Sequence, residues 1–197
     1  MKSMGDSLSV EGSQRPRLVN PYALVTYATG PLGEFLNGLR RDLVSGCHLK
    51  SHVTFLPPRE LEAPEPALWQ AVQTVCDSWQ PFDLELTGVE VFPGTQVIYL
   101  ALGNGRERVM GLHRELNQGT LFFDEPFPYH PHVTLAQGLC GALEVEAARR
   151  CAEERWAAYR GPRHMEIDEV VFVREREANC WSDLAQLSLS VPVAVRG

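Results

Sequence analysis

The tripeptide His-Val-Thr occurs twice, at His52-Val53-Thr54 and at His132-Val133-Thr134. Phe55 follows the first copy and Leu135 the second, so both read histidine, apolar, threonine, apolar. On a β-strand, residues i and i+2 point to one side and residue i+1 to the other. Each copy therefore presents an imidazole and a hydroxyl to one face and a valine to the opposite face. Two imidazoles opposed across a cleft suit paired acid and base work, because the ordinary pKa of histidine, about 6.5, lies near neutral pH. The plainer reading is a pair of edge strands whose polar faces carry histidine.

The same period of two reaches backwards. Lys50 shares a face with His52 and Thr54, and His130 shares one with His132 and Thr134. Both stand two residues before a motif histidine, where, as potential cations, they would meet a bound phosphate or line the solvent edge of the strand. Pro131 favours an extended residue 130. Phe127 and Tyr129 precede the second motif and could stack a nucleic-acid base, or pack the loop. Arg59 follows Pro57-Pro58; it either reaches a phosphate at the cleft mouth or is a solvated loop side chain. His48, His113 and His164 are expected at the surface, and Arg174 to Glu177 in a solvated turn.

Beyond the motifs, the chain has 197 residues, 44% hydrophobic and 22% charged, with a net charge of -7. That fits one globular domain with a sizeable core. The acidic balance argues against wrapping long nucleic acid, which needs a broad basic surface, but not against a nucleotide or an RNA end. Five scattered cysteines form no Cys-x-x-Cys pair, which points to a reducing, cytoplasmic compartment and away from a disulfide scaffold or structural zinc. No run of 18 apolar residues and no secretory h-region occurs, so no membrane partner is expected. Residues 1–19, rich in Ser, Gly and charge, read as a disordered tail.

Around the motifs, residues 22–28 read as a strand and 31–44 as an amphipathic helix. The first motif strand runs from His48 to Leu56 and stops at Pro57-Pro58. A helix about Leu68 to Trp79 and a strand from Phe82 to Val91, shifted near Gly88, complete the first half. The second half has a strand 97–102, a helix 106–118, the motif strand 130–136, and a helix from Glu144 to Arg160. Final strands are expected over Met165–Arg174 and Leu184–Val191. The halves, roughly 20–95 and 96–197, follow one plan of strand, helix, motif strand, helix, strand.

SHVTFLPPRE and PYHPHVTLAQG together resemble the paired motifs of the 2H phosphoesterases, the superfamily of 2′-5′ RNA ligases and RNA 2′,3′-cyclic phosphodiesterases. EIDEVVFVRE and CWSDLAQLSLS resemble its last strand pair, so the likeness spans about residues 20–195. It implies an α+β fold, bilobal and pseudo-twofold, with two antiparallel-rich sheets flanking a central cleft and helices outside. Members often have an aromatic residue near the C-terminus that flanks the base, and Trp181 is the nearest candidate. Second motifs in the family often place an arginine where this chain has Gln137.

The resemblance implies hydrolysis of 2′,3′-cyclic phosphate ends of RNA or nucleotides to 2′-phosphates, with reversible 2′-5′ ligation as the reverse direction. Its catalytic pair would be His52 and His132, with Thr54 and Thr134 holding the phosphoryl oxygens. In the family the second histidine is usually the base and the first the acid, but the identical tripeptides do not assign these roles. The scheme needs no metal or cofactor and fits a monomer. One rival is a metal enzyme, from His130-x-His132 and the His48/His52 spacing. It lacks a nearby carboxylate after His132 and leaves the threonines unexplained. Further alternatives are a phosphodiesterase on 2′-5′ oligonucleotides or another cyclic nucleotide, and a non-catalytic RNA-end binder, which the intact histidines and threonines disfavour.

Overall fold

The computed structural model describes residues 21–177 and 179–189. The N-terminal tail and the end of the last expected strand lie outside them. The order is β1 (Tyr22–Tyr27), α1 (Gly30–Leu43), β2 (His52–Arg59), α2 (Glu65–Cys76), β3 (Phe82–Val91), β4 (Ile98–Leu102), α3 (Arg106–Leu116), β5 (His132–Ala136), α4 (Ala142–Ala158), β6 (His164–Ile167), β7 (Glu169–Glu177) and β8 (Cys180–Ser188). A short 3-10 turn, Gly119–Leu121, follows α3.

Each helix forms because one stripe is apolar. In α1, Pro31 sits in the first turn, where its missing N–H costs nothing, and Leu32, Leu36 and Leu39 are buried at helical spacing. Val109, Leu112 and Leu116 do the same in α3. The loop before α3 turns on Gly105, whose φ is +91° and whose missing Cβ would lie 2.2 Å from the Asp83 carbonyl oxygen.

The eight strands form one antiparallel sheet in the order β6-β3-β4-β5-β2-β1-β7-β8. It divides into two groups of four, with the motif strands β2 and β5 side by side at the centre. β3, which follows the first motif in the chain, pairs with β4 and β6 of the other group. The bulge anticipated near Gly88 is the register shift between Leu86 and Val89.

Met165–Arg174 is not one strand. It divides at Asp168 into β6, which pairs with β3, and β7, which pairs with β1. These two strands hold the first and seventh places in the sheet. In a flat sheet they would stand about 29 Å apart at the usual strand spacing of about 4.8 Å. One intervening residue cannot bridge that, so the sheet must curl until its ends approach. The fold is α+β as expected; the two expected sheets are the two four-stranded halves of one curled sheet, and its concavity is the cleft.

The convex side carries the helices and the main core. Val53 and Val133 are both fully buried there, packed with Leu36, Leu39, Phe55, Leu100 and Leu135. On the concave side a smaller cluster joins Ala23, Val25, Val171 and Val173, flanked by Tyr27 and Trp181. β1 is thus buried on both faces, which explains its nearly unbroken apolar run. Among the described residues no helix is long and apolar enough to cross a membrane.

Candidate active site

The two His-Val-Thr copies lie on the two central strands, with their valines in the convex core. Val53 pairs with Val133 in antiparallel register. That register sets His52 opposite Thr134 and Thr54 opposite His132, all facing the concave side. His52, Thr54, His132 and Thr134 line one cleft of about 1370 Å³.

The imidazoles are held alike. His52 Nδ1–H donates to the Lys50 carbonyl, and His132 Nδ1–H to the His130 carbonyl, each at 2.7 Å. This fixes one tautomer in both rings and leaves Nε2 as the free reacting atom. The Thr134 hydroxyl lies 3.1 Å from His132 Nε2 and donates to it when the ring is neutral. Burial pulls the His52 pKa down to about 4; the bond to the Lys50 carbonyl opposes this, while Arg40 and His132 reinforce it. Burial also lowers His132, against its own carbonyl bond, with His130 adding to the fall. Both imidazoles are therefore neutral in the free protein at neutral pH.

The surroundings of the two motifs differ although the motifs are identical. Across the β1–β2 ladder, Tyr27 stands opposite His52 and Val25 opposite Thr54. Across the β4–β5 ladder, Ala101 stands opposite His132 and Tyr99 opposite Thr134. The Tyr27 ring meets His52 edge-on at 6.4 Å, and its hydroxyl donates to Asp183 on β8 at 2.6 Å. His132 instead packs edge-on against Phe92 at 4.9 Å and Tyr99 at 5.2 Å.

The remaining sequence candidates divide. Lys50, His130, Phe127, Tyr129 and Trp181 all line the cleft. The Lys50 ammonium sits 4.7 Å over the Tyr27 ring, and His130 packs on Phe92 at 5.1 Å. Phe127 is 60% exposed. Tyr129 lines the wall with a structural duty: its hydroxyl donates to the Thr54 carbonyl at 2.5 Å, and its ring stacks on His113 at 3.7 Å. His48, exposed as expected, also lines the cleft. His164 is exposed on β6.

Two expectations are corrected. Arg59 is no cleft-mouth contact: it is 1% exposed. Its guanidinium pairs with Glu125 and donates to Asn117 Oδ1 at 2.6 Å and to the Leu121 carbonyl at 3.2 Å. The cause is that β2 does not stop at Pro57-Pro58. It continues to Arg59 beside a register irregularity in β1 between Tyr22 and Leu24, where missing N–H groups are tolerated. The extension turns Arg59 inward. His113 is likewise buried rather than superficial, 6% exposed, with Nδ1–H donating to the Phe55 carbonyl at 2.8 Å. Its pKa is lowered by burial.

Sequence reading missed Tyr27, Arg40, Phe92, Tyr99 and Asp183. The period of two in β1 places Tyr27 on the face of Ala23 and Val25, so that signal was present. Asp183 belongs to β8, which begins at Cys180, four residues before the expected Leu184. Gln137 also lines the cleft. Among the described residues no group of three His, Cys, Asp or Glu is placed to hold a metal ion.

The family model of the 2′-5′ RNA ligase superfamily matches residues 40–179, a span that holds both motifs. The chain belongs to this family. No curated protein matches the chain. Its fold is similar to TT0787 of Thermus thermophilus, at TM-score 0.61 and 19% identity over 86% of this chain and 97% of that one. It is similar also to E. coli LigT in apo form, at TM-score 0.58 and 14% identity over 87% and 98% of the two chains. LigT complexed with 3′-AMP matches at TM-score 0.58 and 13% identity, over 87% and 99%.

Proposed function

We propose that this protein hydrolyses 2′,3′-cyclic phosphate ends of RNA or nucleotides to 2′-phosphates by paired-histidine catalysis without a metal ion. The observation that carries the reading is the matched presentation of His52 and His132. Each ring is tethered at Nδ1 to the carbonyl two residues before it, so that both Nε2 atoms serve one cleft beside two threonine hydroxyls. Family membership supports the reaction class, and the complex of LigT with 3′-AMP supports a cleft of this fold accepting a nucleoside monophosphate.

In the reaction, water attacks phosphorus opposite the 3′-oxygen. His132 Nε2 takes the proton from the water, the P–O3′ bond breaks, and His52 Nε2–H protonates the departing oxygen. The 2′-ester bond remains, giving a 2′-phosphate and a 3′-hydroxyl. The free protein holds both rings neutral, and the anionic substrate supplies the negative charge that favours an imidazolium. Thr54 and Thr134 donate to the non-bridging oxygens and keep the phosphoryl in line. Lys50, His130, Phe127 and Trp181 are placed to contact the nucleotide. The same pair, run backwards with a 5′-hydroxyl in place of water, joins RNA ends 2′-5′, and the family description favours keeping that direction as a second activity.

The test is product analysis. Nucleoside 2′,3′-cyclic monophosphates incubated with the protein and EDTA are expected to give 2′-monophosphates. A 3′-monophosphate product, or turnover that requires added divalent metal, contradicts the proposal.

A further inference from the structure

α1 lies on the helix side of the sheet, yet its Arg40 lines the cleft on the other side. The side chain is 3% exposed. One guanidinium nitrogen donates to the Thr134 carbonyl and the other lies 3.8 Å from Cys47 Sγ. Nε is buried with no hydrogen-bond partner, and no carboxylate pairs with Arg40 among the described residues. An arginine does not shed its charge, and burying a charge without a counter-ion is expensive. The place where it emerges explains how it gets there. β2 and β5 meet in register at Val53 and Val133, and next to that pair the Thr134 carbonyl accepts a hydrogen bond from Arg40.

We propose that Arg40 is a positioning residue of this reaction: its buried guanidinium, beside the seam between the two motif strands, fixes Thr134 and supplies the positive charge that the anionic phosphoryl group meets. The proposal rests on the phosphodiesterase reading of the same cleft. It accounts for the buried cation without a carboxylate. The neighbours of His52 are Tyr27 from β1, Arg40 from α1, His132 from β5 and its own Lys50, and the charge of Arg40 disfavours a proton on His52. Arg40 thus links the two motifs from beneath: a hydrogen bond to one, a field on the other.

The test uses the full chain with Arg40→Met and Arg40→Lys, and imidazole NMR titrations of His52 and His132. Arg40→Met is expected to raise the His52 pKa part of the way from about 4, with burial still holding it below the ordinary value, and to shift the His132 titration through the freed Thr134. It is expected to lower kcat about 10- to 100-fold, the cost of losing an electrostatic contact to the developing phosphorane, with a smaller change in KM. Arg40→Lys, which keeps the charge, restores the His52 titration and part of kcat. A folded Arg40→Met protein with an unmoved His52 and unchanged kcat overturns the proposal. If Arg40→Met does not fold, the wild-type chain answers through its Arg40 Nε–H resonance during titration with inorganic phosphate. Movement of that resonance together with His52 and His132 supports the proposal. An unmoved Arg40 with shifting histidines overturns the role of Arg40 alone, and no shift in any of the three overturns the reading of the cleft as well.

Discussion

Val53 faces Val133 across the centre of the sheet, and that pair fixes the geometry of the whole site. Because the strands are antiparallel, centring the register on the two valines sets each histidine opposite the threonine of the other motif. Each histidine thus faces the threonine of the other motif across the seam, while Thr134 also bonds His132 of its own motif at 3.1 Å. A phosphoryl group held over the seam has a proton-transfer group and a hydroxyl on each side.

Thr54→Ala and Thr134→Ala are each expected to lower kcat by about one to three orders of magnitude, the usual range for losing a single donor to a developing oxyanion. Thr134→Ala also removes the hydroxyl bonded to His132 Nε2, so it is expected to shift the His132 titration as well. Steady-state kinetics on a nucleoside 2′,3′-cyclic monophosphate, beside an NMR titration, check both. Unchanged rates in both variants remove the phosphate-holding role.

The pH–rate profile follows from the depressed imidazoles. The base must be neutral and the acid protonated, so activity needs one proton shared between the pair. Both free-protein pKa values lie below the ordinary 6.5, His52 at about 4. The maximum of kcat/KM, which reports the free protein, is expected below about pH 6.5, falling on both sides. A maximum above pH 7 would show that burial does not govern these rings.

Stability should fall in acid for the same reason. A histidine held neutral by burial binds its proton more readily in the unfolded chain. His52, His113 and His132 all have lowered pKa values, so their neutral forms support the fold above about pH 6.5, and that support is lost as pH falls from there toward 4. Thermal melts between pH 7.5 and pH 4.5 are expected to show a declining Tm, and His113→Phe, which cannot take a proton, a shallower decline.

How much of this was legible beforehand depends on range. The strand period alone placed His52, Thr54, His132 and Thr134 on one face and Val53 and Val133 in the core, because period two is a local property. Arg59 and His113 were misjudged because their surroundings are set by residues far away in sequence. Glu125, Asn117 and Leu121 claim the Arg59 guanidinium, and Phe55 claims the His113 ring. Nor could a single apolar run over Met165–Arg174 disclose that its halves pair at opposite ends of a curled sheet. The asymmetry between the motifs was equally hidden: Tyr27 and Tyr99 become different neighbours only once the β1–β2 and β4–β5 registers are known.

The network around Arg59 carries its own expectation. Glu125 holds Arg59 and lies 3.6 Å from His113, on which Tyr129 stacks while bonding the Thr54 carbonyl. Glu125→Gln leaves the buried guanidinium without its counter-charge and is expected to cost about 3–5 kcal/mol, read by denaturant unfolding. Tyr129→Phe removes one hydrogen bond and is expected to cost about 0.5–1.5 kcal/mol. A neutral Glu125→Gln would mean that the pair does not anchor the loop leading into the second motif.

The most direct test of paired-histidine catalysis is the rate of 2′-phosphate release from a nucleoside 2′,3′-cyclic monophosphate by His52→Ala and His132→Ala, each verified as folded by circular dichroism. The account predicts that each variant alone loses at least about 10²-fold, as removal of a general acid or base does. Near-wild-type turnover in either folded variant contradicts it.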